Sequence, residues 1–153
     1  MERLERQIRT QYERAFFDLL YERVSSNPPD YDWLVRLYTE IRDKLCKLVK
    51  ADSVLGRDMK EKLDPEFFEQ LIRNNVFDGK SMYGLIMYSF EKCLELGSPA
   101  RDEETKAARD EVIAMAQSEE GTFANIVPLY IKNINTCIDT IYKDIHNLLN
   151  NTK

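Results

Sequence analysis

Histidine, glycine and proline are scarce in this chain, and each scarcity excludes something. One histidine, His146, stands in 153 residues, so neither a two-histidine zinc site nor a paired Glu-x-x-His di-iron site can be assembled. The five glycines form neither GxGxxG nor GxxxxGK[ST], which leaves nucleotide binding without a phosphate loop. Cysteine is sparse too: Cys46, Cys93 and Cys137 stand far apart inside apolar stretches. That is the pattern of buried reduced thiols in a reducing, intracellular compartment. Neither Cys46 nor Cys93 has a histidine near it in sequence, so a Cys–His nucleophile has no local support. No run approaches the roughly 18 apolar residues that a membrane-spanning helix needs, and the chain is charged from Glu2 and Arg3 onward. A net charge of −5 opposes the attraction to phosphate that drives nucleic-acid affinity. No catalytic group, cofactor or metal is therefore expected.

What remains is a folding composition, with hydrophobic residues at 43% and charged ones at 32%, arranged at helical period. Leu4, Ile8, Tyr12, Ala15, Phe16, Leu19 and Leu20 recur three or four apart and predict an amphipathic first helix. Asn27-Pro28-Pro29 ends it, and Asp30 is placed to cap a second helix bearing Leu34, Leu37, Tyr38, Ile41, Leu45 and Leu48 on one face. Asp52-Ser53 to Gly56 reads as a break, followed by a short turn of helix up to Leu63. Asp64-Pro65-Glu66 is a helix start, with Phe67, Phe68, Leu71 and Ile72 as the buried face. Residues 80–96 are apolar on most sides and predict a central helix closed by Gly97 in the C′ position. Another helix restarts at Ser98-Pro99, its alanines 107, 108, 114 and 116 suited to close packing. The last helix carries Val127, Ile134, Ile141 and Leu148 every seven residues, beside a second row of Ile131, Ile138 and Ile145, with Pro128 in the first turn or at a kink. A stripe two rows wide suits the closing helix of a bundle better than a coiled-coil seam. The expectation is one all-α domain over 1–153, a bundle of six to seven helices.

Several stretches, in order, resemble one family. Ala15-Phe16-Phe17-Asp18-Leu19 followed by Pro28-Pro29-Asp30-Tyr31 is similar to an opening "FWD … PPDY"; Leu37, Glu40-Ile41-Arg42 and Leu45 to "LL-x-EI-x-x-x-L"; Leu63-Asp64 through Gln70 to "LD-x-x-x-I-x-Q". Ser98-Pro99-Ala100-Arg101-Asp102-Glu103-Glu104 resembles "CAPVRDEEV", with Gly97 and Ser98 where the family has cysteine and alanine. On these motifs the chain resembles the T-complex protein 11 family, as a short homologue, for example a virus-encoded one, of its N-terminal helical part. The resemblance implies a non-enzymatic adaptor that binds a protein partner, linked to cyclic-AMP and protein kinase A signalling.

Pro99, Arg101, Asp102, Glu103 and Arg109 are the candidate partner-binding residues, with the alternative that Arg101 and Asp102 lock the loop between two helices. Tyr31, Trp33, Tyr38, Phe77 and Tyr142, at helix edges and loops, add a general hint of an interface, although core packing would equally account for each. A second function class stays open: a self-assembling structural component, such as a small virion protein, that homo-oligomerises through the last helix.

Overall fold

The computed structural model describes residues 2–151 and is all-α, with no strand among the described residues. Its helices are α1 (Glu2–Ser25), α2 (Tyr31–Cys46), α3 (Val54–Lys62), α4 (Pro65–Arg73), α5 (Gly79–Leu96), α6 (Asp102–Gln117) and α7 (Phe123–Asn151), with a 3-10 turn at Pro99–Arg101 leading into α6. The long α7 is the hub: α1, α2, α5 and α6 all pack on it, while α3 and α4 are attached through α2. Both apolar rows of α7 are buried from Val127 to Ile141, and a wide apolar stripe of this kind needs neighbours on more than one side.

Local chemistry sets most of the boundaries. Asp64 Oδ1 accepts the Glu66 N–H at 3.0 Å and Asp78 Oδ1 accepts that of Ser81 at 2.8 Å, so α4 and α5 begin on side-chain caps. Asp30 holds the N-cap position of α2 without capping it; its carboxylate takes Arg23 at 2.9 Å instead. Gly56 is not part of a break. It lies in the first turn of α3, donating to Ser53 Oγ at 3.0 Å. Gly97 ends α5 in extended backbone (φ −89°), not in the left-handed conformation. Space is what it supplies, since a Cβ there would stand 2.9 Å from the Cys93 carbonyl oxygen and 3.3 Å from Ile141 Cγ1. Pro128 falls within α7, buried and beyond the first turn.

The core joins Leu20, Leu34, Ile41, Leu45, Phe90, Val112, Ile134 and Ile138 in one cluster. Polar groups buried in it pair with one another: the Ser89 and Tyr130 hydroxyls share a bond of 2.7 Å, and Asn133 Nδ2 donates to the Ala108 carbonyl at 2.9 Å, as burial favours; Arg42 Nε is buried without a hydrogen-bond partner, 3.5 Å from the Asp43 carboxylate. Four expectations fail at the ends and edges. Leu4, Ile8 and Tyr12 on α1 are exposed, as are Ile145 and Leu148 on α7 and Phe67 on α4. Of the four α6 alanines only Ala108 and Ala116 are half-buried. Helical period names a face, and here the neighbour that would cover that face is missing.

Phe90 and Phe67 look alike in sequence and differ in burial, 0% against 58% exposed. Phe90→Ala is expected to lose about 3–5 kcal/mol in urea unfolding, and Phe67→Ala to stay within about 0.5 kcal/mol of the native chain. Equal losses would contradict this packing.

Candidate interaction site

The segment from Ser98 to Glu104 turns the chain from α5 into α6. Ser98 Oγ accepts the Ala100 N–H at 3.3 Å, Pro99 occupies the first position of the 3-10 turn, and Asp102 and Glu104 lie in the positive first turn of α6. Arg101 leaves this turn and forks onto α7. Its Nε and Nη2 each donate to an Asp144 carboxylate oxygen at 3.0 Å, while Nη1 reaches Glu104 at 3.2 Å. A planar guanidinium facing a carboxylate edge fixes orientation as well as distance. The bonds to Asp144 and Glu104 hold the guanidinium firmly charged, and the bond from Arg101 lowers the Asp144 carboxyl below its ordinary value.

The five candidate residues thus divide. Arg101 serves the helix junction. Arg109 pairs with Asp110 at 3.0 Å, two turns along α6. Asp102 is half-buried at the head of α6, and Pro99 and Glu103 are exposed. The turn does border an open groove of about 570 Å³ where α7 leaves the bundle, walled by Leu96, Ala100, Ile141, Ile145 and Leu148. The sequence places Ile141, Ile145 and Leu148 on the apolar stripe of the last helix, as bundle core or, in the self-assembly alternative, as an interface; of the three, Ile141 is buried and Ile145 and Leu148 are exposed.

The edge aromatics are used inside the chain. Tyr38 stacks on Phe68 at 4.2 Å, Phe77 stands edge-on between Phe68 and Phe123, Tyr31 meets Phe123, and Trp33 meets Phe16 at 5.0 Å. The Tyr142 hydroxyl donates to the Lys44 carbonyl at 2.6 Å. Among the described residues, the strongly exposed aromatics are instead Tyr12, Tyr21, Phe67 and Tyr83.

Phe67 borders a second groove, of about 360 Å³, between α4 and α5. Tyr38, Phe68 and Phe77 line it; Phe67 and Leu71 contribute from α4, and Gly84, Leu85 and Tyr88 from α5. Tyr88 is held by its bond to Asp58 at 2.6 Å. Gly84 costs helix stability, about 1 kcal/mol against alanine, and no packing demands it, because a Cβ there would meet nothing within 4 Å.

Neither groove presents a thiolate. Cys93 and Cys137 are buried, and burial raises both thiols; Cys46 is half-buried and is raised for the same reason. Among the described residues no group of three His, Cys, Asp or Glu side chains is placed to hold a metal ion, and no helix is long and apolar enough to cross a membrane.

The model of the family described as T-complex protein 11 matches residues 1–149. The chain belongs to the T-complex protein 11 family. The match reaches beyond the motif-bearing stretch of 12–109 and covers α7 as far as residue 149, so both residues of the Arg101–Asp144 fork lie within it. No solved structure matches the chain.

Because the folded Asp144 carboxyl lies below its ordinary value of 3.8, its contribution is present above that pH and is lost as pH falls through the lowered value. Arg101→Ala should melt below the native chain at neutral pH, and the gap should close as the solution is acidified past pH 3.8. A gap that ignores pH, followed by thermal circular dichroism, would refute the fork as its cause.

Proposed function

We propose that this chain is a non-enzymatic helical interaction module, an adaptor whose partner is a protein and whose setting, by family resemblance, is cyclic-AMP and protein kinase A signalling. One observation carries the reading: the groove beside the Arg101 turn exposes Ile145 and Leu148 at 42% and 65% on a helix rigidly held by its buried half. Apolar side chains presented on a fixed scaffold suit a partner's anchor residues. The thiols support the non-enzymatic part, since burial keeps Cys93 and Cys137 protonated and poorly nucleophilic. Arg101 and Asp144 shape the groove and hold its wall; the contact surface is apolar.

The same exposed end of α7 favours a second reading, a structural component that self-assembles there. The row from Val127 to Ile141 is occupied within the bundle, so only the last turns would serve. Purified kinase A catalytic and regulatory subunits, passed over the immobilised chain, separate the two readings. Under the adaptor reading a subunit binds, and Leu148→Glu weakens binding at least tenfold without changing the melting temperature. Binding of neither subunit, with a light-scattering mass that Leu148→Glu returns to the monomer, would replace it with the structural one.

A further inference from the structure

Cys93 on α5 and Cys137 on α7 meet in one helix interface, bracketed by two contacts. The Ser89 and Tyr130 hydroxyls share a bond of 2.7 Å, and a Cβ on Gly97 would stand 3.3 Å from Ile141 Cγ1. Because these contacts advance together along both helices, α5 and α7 run parallel. Cys93 lies four residues after Ser89 and four before Gly97, and Cys137 lies seven after Tyr130 and four before Ile141. Such spacings return to the same helix face, so the two cysteines stand level between the contacts. Gly97, without a Cβ, lets α5 come close to α7 one turn beyond them.

Space and chemistry agree with that placement. Both thiols are free and buried, and both border a cavity of about 70 Å³ that Thr105, Thr136 and Thr140 also line. The void gives the sulfurs room to turn toward one another, which the torsion of a disulfide requires. Burial raises both thiols, and the nearness of Cys137 adds to the rise at Cys93. The Thr105 hydroxyl donates to Cys137 and favours its thiolate, which makes Cys137 the readier nucleophile of the two.

We propose that Cys93 and Cys137 form a reversible disulfide, a latch that fastens α5 to α7 when hydrogen peroxide enters the cavity. The Cys137 sulfur attacks one peroxide oxygen, the O–O bond breaks, and the departing oxygen leaves as water with the thiol proton, giving a sulfenic acid. The Cys93 sulfur then attacks the sulfenic sulfur. An S–S bond forms, the S–O bond breaks, and the hydroxyl leaves as water with the Cys93 proton. Two thiols and one peroxide thus yield one disulfide and two waters, the sulfurs losing the two electrons that the peroxide gains. Burial slows the first step, which suits a response to sustained oxidant and not a catalytic cycle. A small thiol reopens the bond by exchange. Gly97 and Ile141, one turn on, wall the groove beside Arg101, so closure fixes that wall. This goes beyond the adaptor reading and does not depend on it.

The test is peroxide treatment of the folded native chain, followed by unfolding, alkylation of the remaining thiols and peptide mass spectrometry. Cys46, half-buried and outside the cavity, is the internal reference. Cys93 and Cys137 should be lost to alkylation together, in a single peptide pair lighter by two hydrogens, and dithiothreitol should restore both. The oxidised monomer should melt above the reduced chain. Cys93→Ser should form no link within the chain and show no such rise. Persistence of both thiols through millimolar peroxide overturns the proposal. So do oxygens added to either sulfur without a link, and so does a link that joins only Cys46 or two separate chains.

Discussion

Burial of α7 between Val127 and Ile141 is the contact that organises the other helices. Four of them, α1, α2, α5 and α6, lay an apolar face on it, and fully enclosed residues such as Ile131, Ile134 and Ile138 contribute roughly 1.5–3 kcal/mol each through lost water contact. With α3 and α4 resting on α2, α4 is not drawn against α5, and the aromatic groove is the space left between them. Tyr88, bonded to Asp58, ties α5 to α3 beside that space.

Much of this was legible in the residues. Asp64 and Pro65 at the start of α4 act within one turn of where they stand, so local chemistry suffices to place that boundary; Ser53 and Asp78 cap α3 and α5 in the same way, although the sequence around them reads as a break and a loop. Apolar period identified the inward faces of α2 and α7 for the same reason: it follows from helix geometry and needs no knowledge of neighbours. Gly97 was placed correctly as the end of α5 but for the wrong cause. Its backbone is extended, and the need for a glycine comes first from the Cys93 carbonyl oxygen, 2.9 Å from where a Cβ would stand, and then from Ile141, 44 positions away and 3.3 Å from it; the second contact is one that no local reading contains.

Coverage was the part the sequence could not show. Leu4 and Ile8 repeat the same spacing as Leu37 and Ile41, and Ile145 continues the row of Ile131 and Ile138, yet one set is exposed and the other buried. Which turns of a helix have a neighbour depends on where the other helices end in space. The same holds for Phe67 and Phe68, adjacent side chains of which one meets the Tyr38 ring and the other meets water. Long-range polar partners share this property: Asp144 is 43 residues from Arg101, and nothing around either residue announces the other.

That pairing decides how the motif should be read. Ile141 is the last buried residue of α7 and Ile145 the first of its row to face solvent, and the Arg101–Asp144 fork falls between them. Both partners are half-buried, and an ion pair within reach of water adds little to stability, so the main effect of the fork is directional. It pins the outgoing turns of α7 to the α5–α6 junction just as they lose the support of the core. The recognisable polar residues of the Ser98 to Glu104 segment therefore hold the scaffold, and the unremarked apolar neighbours, Ala100, Ile145 and Leu148, are the ones set out toward solvent. Changing the charges of this segment would loosen the junction between α6 and the outgoing turns of α7, whereas Ile145 and Leu148 can be changed without touching it.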